Sequence, residues 1–200
     1  MTLRTTPDAR LHAGTTSDIR GIKRQTVNLS HMASEVLARH NAAEPARRVA
    51  WCIAPDLVLH ADPELLRILL ENLIGNAWKF TATRDLASIE VGCRVEDGDD
   101  IYFIRDDGAG FDMTHVGNLF QPFQRLHTRS DFPGSGIGLT IVRRMIRFHG
   151  GRIWTESGGG TGARFHFSLT PPVAKPVLTT QGATRTVRMP MLAQEGAGQE

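Results

Sequence analysis

The sequence predicts an α+β domain, and three observations point to it. Two apolar runs, SIEVGCRV and IYFIRD, are joined by EDGDD, and two more, RIWTES and ARFHFSL, are joined by GGGTG, so both pairs read as strands linked by turn chemistry. Two amphipathic helical patterns, ELLRILLENLIGNAWKF and IGLTIVRRMIRF, stand beside them. A chain of 200 residues holds one such domain of ordinary size and leaves some length for tails.

Taken in order, residues 1 to about 27 are polar and aperiodic, which predicts a loose leader or the remnant of an upstream element. The domain is expected over residues 28–170. Ser30 is the expected cap of a helix through HMASEVLARHNA, with Met32, Val36 and Leu37 as a modest apolar face. RRVAWCIAPDLVLHAD reads as two short strands broken at Pro55-Asp56. Asp62 then caps a longer helix that has Pro63 in its first position. After the two strands and a glycine-rich stretch, a last helix begins at Ile137. Ile137, Ile141 and Met145 lie four apart with Val142 and Ile146 beside them, Arg143, Arg144 and Arg147 face solvent, and Gly150-Gly151 is the stop. Residues 171–200, rich in Pro, Gly, Thr and Gln, predict a disordered tail or linker.

Net charge is +2 with the signs mixed along the chain, so no basic stripe makes nucleic acid a partner. Cys52 and Cys93 sit far apart in apolar runs and read as reduced core thiols, and the eight histidines show no ligand spacing. No apolar run is long enough to cross a bilayer and no signal peptide is evident, which predicts a soluble, cytoplasmic chain without membrane contact.

At about 100° per residue, Leu65, Leu66, Leu69, Leu70, Leu73, Ala77 and Phe80 share one arc of the longer helix. Asn72, Asn76 and Lys79 share the neighbouring arc on the margin of the core, while Arg67, Glu71 and Trp78 project elsewhere. Amide oxygens suit a hard cation such as Mg²⁺, and an ammonium suits phosphate; a solvated polar flank is the plainer alternative. The strand IYFIRD ends in Asp106-Asp107 followed by Gly108 and Gly110, where a carboxylate can accept from an exocyclic amine such as adenine N6 and the glycines leave room for a flat base. An acidic turn fits the same residues. In DFPGSGIGLT, Gly134, Gly136 and Gly138 precede a helix N-terminus, where unpaired backbone N–H groups favour an anion; a flexible loop is again the alternative.

In this order, Asn-x3-Asn-x2-Lys-Phe, Asp-x-Gly-x-Gly, FQPFQR and Gly-x-Gly-x-Gly-Leu resemble the catalytic ATP-binding domain of sensor histidine kinases, over about residues 48 to 170. That family shares a superfamily, GHKL, with DNA gyrase, Hsp90 and MutL. NAWKFT and RIWTES look most like the bacteriophytochrome-type and hybrid kinases. The resemblance implies a two-layer α/β sandwich, the Bergerat fold, with a mixed sheet and helices on one face. It implies ATP and Mg²⁺ as cofactors. Asn72 and Asn76 match the metal-binding asparagines, with Asn76 the more direct ligand, Lys79 matches the phosphate-binding lysine, and Phe80 follows in the same motif. Asp106 matches the aspartate that receives adenine N6, with Gly108 and Gly110 shaping the pocket. Phe120 and Phe123 would anchor a lid, and Arg125 would lie near the γ-phosphate. Gly134, Ser135, Gly136, Ile137, Gly138 and Leu139 would form the hinge and phosphate cradle, and Thr161 and Gly162 match the last glycine motif.

Two departures shape the expected chemistry. Gyrase-type relatives carry a glutamate where this chain has Asn72, and Glu71 points about 100° away, so hydrolysis lacks its base. Transfer to an acceptor that is already nucleophilic, a neutral imidazole, is favoured. In NLSHMASEV, His31 lacks the acidic residue, Arg and Pro of the phosphoacceptor motif, and too little chain separates it from Asn72 for a dimerisation hairpin, so it reads as a surface or first-turn histidine. The expectation is an ATP-binding kinase domain, monomeric by itself. It would act on a dimerisation and phosphoacceptor domain in cis or in trans, with a response-regulator receiver domain downstream. A nucleotide-binding regulatory module without phosphotransfer and a serine kinase of the anti-sigma-factor type are the alternatives.

Overall fold

The computed structural model describes residues 21–124, 132 and 135–170. Strand β1 (Gln25–Asn28) leads directly into helix α1 (Leu29–Ala43), followed by β2 (Val49–Ile53), β3 (Val58–Ala61), α2 (Pro63–Phe80), β4 (Ala87–Glu96) and β5 (Asp99–Asp106). A 3₁₀ turn over Met113–Asn118, helix α3 (Gly138–Phe148), β6 (Arg152–Ser157) and β7 (Ala163–Ser168) complete the described elements. The main sheet runs β2-β4-β5-β7-β6, with β2 parallel to β4 and the other neighbours antiparallel, and β1 pairs with β3 in a small second sheet. This is the mixed sheet with helices on one face that the sequence predicts.

Alternation puts Ile89 and Val91 of β4, Tyr102 and Ile104 of β5, and Phe165 and Phe167 of β7 on the helix side of the sheet. They meet Leu66, Leu69, Leu70, Leu73, Ile74 and Ala77 of α2 and Val142, Met145 and Ile146 of α3. Asp62 caps α2 by accepting from the backbone N–H groups of Glu64 and Leu65, with Pro63 in the first turn, as expected. Asp97 and Gly98, at φ 52° and 83°, close the β4–β5 hairpin in two residues, tighter than the five-residue loop the sequence suggests.

Some expectations change. Asn28, not Ser30, caps α1: its Oδ1 accepts from the His31 N–H at 2.9 Å. The Ser30 hydroxyl instead donates to the Ala54 carbonyl and accepts from the Leu57 N–H, which pins the β2–β3 connection under the helix. The segment read as leader ends later than the ordered domain begins, because β1 needs residues 25–27 to pair with β3 and to bury Val27. Trp78 does not project away from the core: it is buried, its indole N–H donates to Glu44 and its ring stacks on His40. Both cysteines are free thiols, half-buried rather than deep in the core. His31 is an exposed first-turn residue beside Glu35, as expected. Residues 1–20 and 171–200 lie outside the described residues.

His149, at the end of α3, ties the layers together. Its Nδ1 lies 2.8 Å from the Met145 carbonyl, and its Nε2 accepts from the Asp62 N–H at 3.0 Å, so the ring is the neutral Nδ1–H tautomer. Asp62 Oδ2 in turn accepts from the Lys23 backbone N–H. Burial, with Arg24 adding to it, lowers the His149 pKa below the ordinary 6.5, against Asp62 and the Met145 carbonyl. A base with a lowered folded-state pKa contributes stability that is present above 6.5 and lost as the pH falls below it. The urea midpoint is expected to fall as the pH drops below 6.5. His149→Gln should flatten this slope without abolishing it, since His40 and His166 are shifted the same way. An unchanged slope would mean that His149 does not titrate with unfolding.

Candidate functional site

Helix α2 supplies one wall of a cavity of about 440 Å³. Asn72, Asn76, Lys79 and Phe80 line it, together with Asp106, Gly110, Ser135, Gly136, Ile137, Gly138 and Leu139, so most of the residues singled out by sequence converge. Positions 72 and 80 are eight residues apart on α2, about 12 Å along the axis, which gives the cavity two chemically different ends.

At the Phe80 end stands Asp106, only 4% exposed. Its Oδ1 accepts from the N–H groups of Gly108 at 2.9 Å and Ala163 at 3.3 Å, which orients the carboxylate and leaves Oδ2 for a ligand. Burial pushes its pKa up to about 6 despite these bonds. The socket is made of backbone at close quarters. A Cβ on Gly162, at φ 84°, would fall 2.0 Å from the Asp106 carbonyl oxygen, and one on Gly110, at φ 61°, would fall 2.1 Å from the Gly158 carbonyl oxygen. Gly108 does not line the cavity; it packs on the end of α2, where a Cβ would meet the Phe80 carbonyl at 2.5 Å. Arg84 bonds the carbonyls of Asp107 and Gly160 and so ties the two turns of the socket together.

At the other end the N-terminus of α3 opens toward Asn72. Ile137 offers no side-chain cap to the first turn, and Gly136 takes a φ of 73° to bring the chain in. A Cβ on Gly138 would lie 2.6 Å from Asn72 Oδ1, so this glycine is what lets helix and amide meet. The Asn72 amide N–H donates to the Ile68 carbonyl at 2.8 Å, which turns Oδ1 toward α3. Lys79 Nζ lies 4.1 Å from the centre of the Phe80 ring. Polar groups thus gather at both ends, with apolar side chains between: an arrangement that can hold a flat polar ring at one end and an anion at the other.

Other expectations fail in part. Thr161 is exposed and bonds the Gly158 carbonyl, outside the cavity. The Phe123 ring is 73% exposed, and among the described residues it is the backbone N–H, donating to the Gly136 carbonyl at 3.1 Å, that makes the connection. Phe120 packs against the core rather than lining the cavity, and its carbonyl accepts from the Thr140 hydroxyl. Arg125 and Gly134 lie outside the described residues. Sequence reading missed Phe132, which sits edge-on to Phe80 at 5.0 Å, and Phe111, Leu119, Gln124, Ala163 and Phe165. Only Ala163 and Phe165 carried a sequence signal, through their shared parity on β7.

Residues 61–174, more than half of the chain, match the family profile described as histidine kinase-, DNA gyrase B- and HSP90-like ATPase. The chain belongs to this family. Cyanobacterial phytochrome A of Nostoc sp. is 41% identical over 112 residues, covering 56% of this chain and 14% of its own length. The methanogenesis regulatory histidine kinase FilI of Methanothrix harundinacea is 43% identical over 103 residues, covering 52% of this chain and 11% of its own. The catalytic domain of histidine kinase ThkA superposes with a TM-score of 0.61 at 25% identity, over 74% of this chain and 97% of that one. Full-length ShkA in complex with AMPPNP gives a TM-score of 0.58 at 27% identity, over 74% and 31%. The chain therefore spans only a small part of the curated relatives. Among the described residues no helix is long and apolar enough to cross a membrane.

Gly162→Ala should cost about 3 kcal/mol, since a positive φ and a clash with backbone act together. Thermal unfolding measures this, and a Tm within a degree or so of the parent would show that the β7 turn can move away from Asp106.

Proposed function

We propose that this domain binds Mg-ATP in the cleft and presents the γ-phosphoryl group to a histidine on a dimerisation and phosphoacceptor domain, in cis or in trans. A response-regulator receiver domain is the downstream acceptor. The observation that carries the reading is the pairing of ends along α2: a buried, oriented carboxylate at one, and two amides with an uncapped helix N-terminus at the other.

In this reading Asp106 Oδ2 accepts from adenine N6, and Gly108, Gly110 and Gly162 keep the socket narrow. The N–H groups from Gly136 to Leu139 cradle the phosphates, and Lys79 neutralises them. Among the described residues no three His, Cys, Asp or Glu side chains form a metal cage. Mg²⁺ fits as a nucleotide-borne ion, held by the amide oxygens of Asn76 and Asn72, and it supplies charge neutralisation on the phosphates. Arg125, assigned by resemblance alone, would act at the γ-phosphate. The described lining contains one carboxylate, Asp106, at the adenine end, so among the described residues no carboxylate lines the phosphate end to activate water. An imidazole acceptor brings its own lone pair, which supports transfer over hydrolysis.

Calorimetric titration with a non-hydrolysable ATP analogue, with and without Mg²⁺, tests binding. Asn76→Ala should remove the Mg²⁺-dependent part of the affinity. Asp106→Asn should weaken binding about tenfold or more, the value of one hydrogen bond to a charged acceptor. Parent affinity should fall as the pH drops through about 6, as Asp106 takes up a proton, and the Asp106→Asn variant should lack that step. Equal affinity in all three proteins would remove these residues from the nucleotide site. Supplying a phosphoacceptor domain should give an acid-labile, base-stable phosphoprotein; an acid-stable product would favour a serine kinase.

A further inference from the structure

Arg84 stands on the connection between α2 and β4, is exposed, and does not line the cleft. Its backbone N–H donates to the Thr81 carbonyl at 3.0 Å, which fixes it to the end of α2. Among the described residues every acceptor of its guanidinium is a backbone carbonyl. Nε donates to Asp107 at 2.8 Å, and Nη2 donates to Gly160 at 2.9 Å and lies 3.5 Å from the Gly108 oxygen. An arginine that turns its planar fork to main-chain oxygens, rather than to a carboxylate, orders backbone.

The backbone it orders is the backbone that aims Asp106. The carbonyl of Asp107 and the N–H of Gly108 belong to one planar trans peptide unit, so they point in opposite directions. Arg84 grips the oxygen of that unit, and its N–H donates to Asp106 Oδ1 at 2.9 Å. A positive charge on the oxygen also polarises the unit and strengthens the donor. The second donor to Oδ1, the Ala163 N–H at 3.3 Å, follows the turn that holds Gly160. Arg84 bonds the carbonyl of Gly160, whose N–H donates to the Ala109 carbonyl at 2.7 Å. With Oδ1 held from two sides, Oδ2 is the oxygen left to meet a ligand.

A single free acceptor is a means of selection. Adenine presents one exocyclic donor, at N6, beside an acceptor at N1, whereas guanine presents adjacent donors at N1 and N2 that suit both oxygens of a carboxylate at once. We propose that Arg84 is a specificity-determining positioning residue: by holding the peptide between Asp107 and Gly108 and the turn at Gly160, it keeps Asp106 to one free oxygen and makes the cleft select adenine over guanine. The proposal rests on the reading of the cleft as a nucleotide site. The same coupling acts on the titration of Asp106. Burial pushes that pKa up to about 6, the N–H groups of Gly108 and Ala163 hold it down, and Asp107 adds to the rise. Lys79 is the other charged group of the described lining. A loosened Gly108 N–H favours the ionised carboxylate less, which moves the titration to higher pH.

The test is calorimetric titration of the parent, Arg84→Ala and Arg84→Lys with non-hydrolysable ATP and GTP analogues in Mg²⁺, from about pH 5 to 8, with thermal unfolding as the check on folding. The parent is expected to prefer the ATP analogue. Arg84→Ala should weaken that analogue about tenfold while the GTP analogue holds or gains affinity. The acid step in binding of the ATP analogue should move upward from about 6. Arg84→Lys keeps the charge without the fork and should recover part of both effects. Equal affinity of the parent for the two analogues, an unchanged ratio or step in Arg84→Ala, or an equal loss for both analogues would each overturn the proposal, the last by reducing Arg84 to a stabiliser of the fold. If Arg84→Ala does not fold, the ratio and the step in Arg84→Lys decide in the same way. A parent that binds neither analogue would remove the nucleotide reading itself and the proposal with it, whereas a parent that binds both with unaltered variants would remove the proposal alone.

Discussion

The structure turns on one demanding requirement, a carboxylate taken almost wholly out of water at Asp106. Such a group is tolerable only where donors are fixed and where backbone can come closer than side chains allow. β5 delivers the aspartate at its C-terminal end, β7 brings the Ala163 N–H alongside, and the turn at Gly108 folds back to supply the other donor. The close approaches at Gly108, Gly110 and Gly162 follow from that requirement, because each lets backbone, rather than a side chain, form the wall. The socket is therefore a property of strand register and turn conformation together.

Helix α2 links this socket to the other end of the cleft. Its apolar arc is held by the sheet and by α3, so the arc that carries Asn72, Asn76 and Lys79 has little freedom to rotate. The glycine-rich approach to α3 ends against Asn72, while the far end of α3 is held to the start of α2 through His149 and Asp62. The two helices are thus joined at both ends, and a neutral imidazole is one of the joints. Protonating it at Nε2 removes the acceptor of the Asp62 N–H while leaving the apolar contacts in place.

The two faces of the sheet illustrate how one alternation serves two chemistries. Odd positions 163, 165 and 167 of β7 feed the core and the cleft, while Arg164 and His166 point the other way into a cation-and-aromatic layer. A one-residue slip of β7 would exchange these sets, burying Arg164 under the helices, so register is strongly held.

By itself the sequence determined the helices, the strands other than β1 and the order of the chemistry along the chain, since caps, periodicity and turn residues are local: Asp62-Pro63 opens α2, Gly150 closes α3, and the arc of Asn72, Asn76 and Lys79 follows from helical pitch alone. Tertiary structure decided what distance along the chain conceals. The competition between Asn28 and Ser30 for the α1 cap was settled by Ala54 and Leu57, which claim the serine hydroxyl. Trp78 is buried because His40 and Glu44 from the other helix meet it. Phe132 lines the cleft because its ring meets that of Phe80 edge-on, and Phe123 connects to Gly136 through its backbone N–H. Local patterns carry backbone conformation and the facing of a helix or strand; which polar atom finds which partner across the fold is fixed only when the elements pack.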